Sequence, residues 1–192
     1  MGNGLGIWVN FCADNIIEGT ASGARNVISG NTGANIQITG IDAAGNTVQG
    51  NFIGPDVTGT VALENGRPIQ IYDSPDNTIG GTDTGAGNLI SGNTPGITIE
   101  GPTATGNVLQ GNFIGVDVTG TAALGNGGAG LRLTNGASDN TIGGSDAGAG
   151  NIIANSGWHG VALFADAGTG NLIRANSIFD NGGMGIEIGR DS

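Results

Sequence analysis

A parallel β-helix, a solenoid of stacked three-stranded coils, is the fold this sequence predicts, and three observations predict it. The chain repeats itself about every 62 residues, its apolar residues alternate with variable ones in short runs, and asparagine and glycine punctuate those runs at regular intervals. A period of two marks a strand with one buried face, and a repeat of this length marks a solenoid.

The repeat is visible in two series. NVISGN begins at Asn26, NLISGN at Asn88 and NIIANS at Asn151, 62 and 63 residues apart. NTVQGNFIG begins at Asn46, NVLQGNFIG at Asn107 and NLIRANSIF at Asn171, 61 and 64 residues apart. One domain, residues 1–192, is therefore expected, divided into two-coil units at approximately 4–66, 67–128 and 129–190.

Each unit contains two coils. Their opening strands run through Ile7-Trp8-Val9, Ile36-Gln37-Ile38, Ile69-Gln70-Ile71, Ile97-Thr98-Ile99, Leu131-Arg132-Leu133, Val161-Ala162-Leu163 and Ile186-Glu187-Ile188. That makes six coils and the start of a seventh. A second wall places Ile17, Val48, Ile79, Leu109, Ile142 and Ile173 inward, and a third wall does so with Ile28, Ile53, Ile90, Ile114, Ile153 and Ile178. Strands this short bury too little alone; stacking coils about 4.8 Å apart aligns like side chains into columns that form the core.

The corners follow from residue type. Asn15, Asn46, Asn77, Asn107, Asn140 and Asn171 recur once per coil, and Asn26, Asn51, Asn88, Asn112, Asn151 and Asn176 form a second column. Both read as structural ladders of stacked amides. Short insertions (TASGAR, TDTGAG, SDAGAG) mark the odd coils, and long ones after FIG (PDVTGTVALENGR, VDVTGTAALGNGGA) mark the even coils. This alternation explains a repeat of two coils.

Composition narrows the partners. Glycine contributes 41 residues, isoleucine outnumbers leucine and valine together, and aromatic residues are few, a balance that favours strands over helices. No lysine occurs; five arginines face sixteen acidic residues, for a formal charge of -11. Nucleic acid and anionic membranes need a positive surface, so neither is an expected partner. No run of eighteen apolar residues suggests membrane insertion, and the opening MGNGLG lacks the regions of a signal peptide. Cys12, a single thiol, is expected to be a small buried hydrophobe.

NTIGG-x6-NLISGN and ATGNVLQGNFIGVDVTGTAALGNGG resemble the right-handed parallel β-helix repeat family, found as segments of large secreted or surface-anchored bacterial proteins. The resemblance covers essentially the whole chain. It implies a right-handed solenoid, in keeping with the handedness of parallel crossovers, and an extracellular or cell-surface location. Function does not transfer with the fold, which hosts pectin-degrading lyases, polygalacturonases, epimerases, phage tailspikes and adhesive stalks.

Any chemistry on a ligand falls to the outward positions. The first wall presents Trp8, Gln37, Gln70, Thr98, Arg132, Ala162 and Glu187, and the second presents Glu18, Gln49, Gly80, Gln110, Gly143 and Arg174. Neither wall holds the paired carboxylates that glycoside hydrolysis requires. His159 reads as a solvated or capping residue without a partner, and Asp56 and Asp117 as turn caps rather than calcium ligands. No catalytic residue, metal or cofactor is expected. The reading is a structural or adhesive segment. Its alternative is a domain that binds or degrades polysaccharide, and the candidate contacts to a polysaccharide or cell-surface glycan are Trp8, Gln37, Gln70, Thr98, Arg132 and Glu187. An ice-binding solenoid is remote, since the row of Thr47, Thr78 and Thr141 is broken by Val108 and Leu172.

Gln70 and Thr98 are expected to be exposed. On the third wall, Val27, Phe52, Leu89, Phe113, Ile152 and Ser177 should face outward, an apolar row that needs a cover. Val57, Val61 and Leu63 of one long loop, with Val116, Val118 and Leu124 of the other, are expected to fold over Phe52 and Phe113. Both end coils read as open, so the chain is expected to be a piece of a longer β-helix that stacks end to end or frays at its terminal coils. Its acidic charge opposes stacking, so sedimentation velocity should detect more association as salt is raised; a salt-independent monomer whose end coils are fully protected in hydrogen exchange would contradict it.

Overall fold

The computed structural model describes residues 2–21, 23–63 and 65–190. Ser22 and Glu64, inside two of the inserted loops, lie outside them. Among the described residues there is no helix; 19 strands form three parallel sheets, and the coils wind as a right-handed β-helix. The first wall has seven strands, from Ile7–Asn10 to Ile186–Arg190. The second has six, from Ile16–Glu18 to Leu172–Arg174, and the third has six, from Val27–Ile28 to Ser177–Phe179.

The strand register is set by burial. Ile7, Ile36 and Ile69 pair in one row, and Val48 and Ile79, or Ile53 and Ile90, pair in others. A slip of one residue would turn each row outward. The interior columns of the middle coils are sealed: Ile36, Ile71, Ile90, Leu109, Leu133 and Ile153 are all fully buried. Each such side chain contributes about 1.5 to 3 kcal/mol, set against the entropy of ordering its coil.

Asparagine closes the corners by a repeated bond pattern. The backbone N–H and the side-chain Nδ2 of Asn46 both donate to Oδ1 of Asn77 at 2.9 Å, and Nδ2 also donates to the Ala43 carbonyl at 2.8 Å. Asn88 does the same at the second corner, onto Asn112 Oδ1 at 3.1 and 3.0 Å and onto the Val48 carbonyl at 2.8 Å. A third ladder runs along the corner between the third and first walls, and the sequence reading did not identify it. There Asn93 bonds Asn126 Oδ1 at 3.1 and 3.0 Å, and Ser156 N–H bonds Asn181 Oδ1 at 3.0 Å. Its members are separated by loops of two lengths and include a serine, which hid the column.

The two-coil period has a cause besides loop length. At the first corner Asp14, Asp76 and Asp139 hold positive φ in odd coils, where Gly45, Gly106 and Gly170 hold it in even coils. A Cβ on Gly106 would lie 2.2 Å from Oδ1 of Asp76, so an aspartate in one coil demands glycine in the next.

Cys12 departs from the expectation: it is exposed, in the turn that follows Ile7–Asn10. The first coil has a neighbour on one side only within this chain, so its turn gains no cover there.

Two substitutions test this account. Ile114→Asp places an unpaired charge in a sealed column and should unfold the middle coils. Asn112→Ala strips the acceptor from two buried donors of Asn88 and should cost at least about 2 kcal/mol in urea unfolding, at about 1 to 3 kcal/mol per orphaned group. A wild-type midpoint for either would refute the register.

Candidate functional site

The outer row of the first wall is continuous in register. Trp8 pairs with Gln37, Gln37 with Gln70, Gln70 with Thr98, Thr98 with Arg132, Arg132 with Ala162, and Ala162 with Glu187. Parallel pairing thus brings all six sequence-chosen residues onto one line along the solenoid axis. Their accessibility differs. Trp8 is 57% exposed, whereas Gln37, Gln70 and Arg132 are half-buried.

Thr98 overturns its expectation, since it is fully buried. Arg132 Nε donates to Thr98 Oγ1 at 3.2 Å, and Gln70 Nε2 donates to Glu100 Oε1, so long side chains of neighbouring coils lie over the threonine. A ligand on this row reaches Trp8, Gln37 and Gln70 without reaching Thr98. The next outward row adds Tyr72, 43% exposed and paired with Thr39, which the sequence reading passed over.

His159 also departs from the solvated reading. It is buried, 4% exposed, in the corner before Val161–Phe164. Its Nδ1 accepts the Met184 backbone N–H at 2.7 Å, and its Nε2 lies 2.8 Å from Glu187 Oε2. The Trp158 ring lies against it, with centroids 4.0 Å apart, and 6.1 Å from the Phe164 ring. The Nδ1 bond and the approach of Nε2 to Glu187 strap the sixth coil to the seventh. The sequence held a signal for it: W-H-G-V and G-M-G-I are equivalent corners, so His159 and Met184 sit one above the other.

The long loops end in capped turns. Asp56 Oδ1 accepts Thr58 Oγ1 at 2.7 Å, Thr60 N–H at 3.3 Å and Val61 N–H at 3.2 Å; Asp117 does so with Thr119, Thr121 and Ala122. The threonine hydroxyl, followed by the backbone N–H groups, holds both carboxyls below the ordinary aspartate value, against desolvation that pushes the other way. These oxygens are engaged in holding their own turns. Among the described residues no group of three or more His, Cys, Asp or Glu is arranged to hold a metal ion.

The covering of the third wall is also corrected. Phe52 and Leu89 are buried, at 4% and 3% exposure, but Val57, Val61 and Leu63 face solvent. The turn glycines cover the rings instead: a Cβ on Gly59 would lie 2.8 Å from Phe52, and one on Gly120 would lie 3.3 Å from Phe113. The cap on Asp56 tightens the turn so that main chain, rather than valine, lies on the ring. Of the residues expected to cover, Val116 is buried and Val118 is 38% exposed.

This arrangement raises two ridges. The long loops meet where Val118 N–H donates to the Gly59 carbonyl at 3.0 Å, and the short loops approach each other at the second corner, where a Cβ on Gly85 would lie 3.0 Å from the Thr20 carbonyl oxygen. Between the ridges lies a cleft of about 390 Å³ whose lining includes Arg25, Phe52, Asp83, Leu89, Phe113 and Val118. Arg25 stacks over the Phe52 ring, its guanidinium carbon 4.2 Å from the centroid, and its Nε donates to the Gly50 carbonyl at 3.2 Å. No family model, curated protein or solved structure matches the chain.

Glu187→Gln and His159→Ala should both loosen the last coil, raising hydrogen exchange at Gly160 and Val161, whose N–H groups bond the Met184 and Gly185 carbonyls. Protection equal to wild type would contradict the strap. For the capped turns, folded carboxyl values below the unfolded one mean that the stabilisation is present above about pH 4 and is lost as pH falls through the folded value. Carbon-13 NMR titration should place the Asp117 midpoint below the ordinary aspartate value, and Thr119→Ala should move it up.

Proposed function

We propose that the chain is a structural, adhesive repeat segment of the right-handed parallel β-helix family, working at a cell surface or outside the cell as a stiff spacer with a contact face for polysaccharide. The observation that carries this reading is where the recurring polar groups are used. The asparagines of all three corners bond from coil to coil, the aspartates of the long loops hold their own turns, and His159 is buried with its Nδ1 on the next coil. Such side chains give axial stiffness. Reaction chemistry needs groups free to exchange protons with a substrate.

The contact face is the first wall. Trp8 and Tyr72 lie two coils apart, about 10 Å along the axis, with the amides of Gln37 and Gln70 beside them. Aromatic faces with amide donors and acceptors suit the apolar faces and hydroxyls of sugar rings. A polysaccharide-degrading domain is the competing reading.

Glycan-array binding, paired with an assay for new reducing ends and unsaturated uronates, separates these readings. The expected result is retention of a glycan that weakens several-fold in Trp8→Ala and Tyr72→Ala, without turnover. Retention unaffected by either change would remove the first wall as the contact face. Turnover abolished by His159→Ala would establish an enzyme.

A further inference from the structure

The cleft between the loop ridges lies on a different face from the first-wall row. Its lining departs from the repeat. TASGARN, TDTGAGN and SDAGAGN are equivalent segments, so Arg25 of the first unit corresponds to Gly87 of the second and Gly150 of the third. The outward residues of the following coils are Phe52, Phe113 and Ser177. In the first unit the chain's own guanidinium lies over its phenyl ring. In the second the ring is present, half-buried, and the arginine is absent. In the third there is no ring.

The second unit cannot supply that group from the same position. A Cβ on Gly87 would lie 1.9 Å from the Gly111 carbonyl oxygen, so no side chain fits there. Leu89 and Val118 line the same cleft as Phe113, and so does Asp83. Arg25, at the Phe52 end, has its positive charge over a ring and its Nε on a carbonyl. The whole chain carries a formal charge of -11, a field that draws cations and repels anions.

From this internal template we infer that the cleft binds a guanidinium group, presented by an arginine side chain of a partner polypeptide, with Phe113 as the aromatic face and Asp83 as the opposing charge. The stack of Arg25 on Phe52 is the geometry the incoming group repeats. Stacking over an aromatic face is a preference of arginine over lysine, because the guanidinium is planar and weakly hydrated. The cleft volume accommodates one such side chain and its neighbours along the peptide.

The test titrates the whole chain with N-acetyl-arginine amide, with the acetyl-citrulline amide, a neutral isostere, and with a pentapeptide carrying one central arginine, followed by NMR. Saturable binding of the arginine amide is expected, tighter for the pentapeptide, absent for citrulline and weakened by salt. Phe113→Leu and Asp83→Asn should each reduce affinity roughly threefold to tenfold, while Asp146→Asn, the equivalent position in the third unit, should not. Asp83 is exposed, so its variant reports on binding even if Phe113→Leu perturbs the fold. No saturable binding, equal binding of citrulline, or indifference to both cleft variants would overturn the assignment. Binding of the amide without the pentapeptide would overturn the peptide as its source.

Discussion

The solenoid depends on one interaction, the hydrogen-bonded asparagine stack. A primary amide offers two donors and an oxygen with two lone pairs, and at the sealed corners all are used. Oδ1 of Asn112 receives two bonds from Asn88, and its own Nδ2 donates to the Ile79 carbonyl at 2.9 Å and to Asn151 Oδ1 at 2.9 Å. A tight corner leaves backbone groups that the sheets cannot reach, and burial without partners is costly. The amide supplies those partners and links each coil to the next. Aspartate has no donors, and glutamine is a methylene longer than the position allows, so the residue type follows from the geometry.

That stack fixes the coil spacing, and the spacing then constrains what surrounds it. With adjacent coils about 4.8 Å apart, side chains at one corner position cannot all be alike in bulk. The carboxylate of Asp76 occupies the space that a Cβ on Gly106 would need. The chain therefore alternates, and its outer loops alternate with it, short in odd coils and long in even ones. Two ridges arise from this period because equivalent loops sit two coils apart and touch across the coil between. The cleft is the interval between those ridges. Its existence follows from packing at the corners and required no separate design.

The sequence made the fold legible in detail because a solenoid states its rules repeatedly. The inward columns named from alternation lie inside except at Ile186 and Ile188 of the last coil, which are exposed, and both asparagine columns bond as ladders. What stayed hidden depends on relations between coils that alternation cannot express. Thr98 alternates outward yet is fully buried, because Arg132 and the flanking side chains of adjacent coils close over it. His159 looks unpartnered in a linear reading, since Glu187 and the Met184 amide belong to the following coil. The valines of the long loop looked suited to cover Phe52, but the bonds to Asp56 lay glycine on the ring and turn Val57 out. Cys12 failed for a different reason: its residue type favours burial, and its place in an edge coil does not.

Candidate sites in a repeat protein are best sought where equivalent positions stop being equivalent. Core and ladder residues recur because each coil must meet the same packing requirement, so their presence says little about use. Trp8 stands where the other coils place Gln, Thr, Arg, Ala or Glu, and Arg25 stands where the later units place glycine. Neither choice is demanded by the stack. Arg25 even satisfies its surroundings, over Phe52, in a way that the second unit cannot imitate because of the Gly111 carbonyl. A ring kept at Phe113 without that cover leaves an aromatic surface in the cleft that Asp83 also lines, and the same contact that completes the first unit from within is then open to a group from outside.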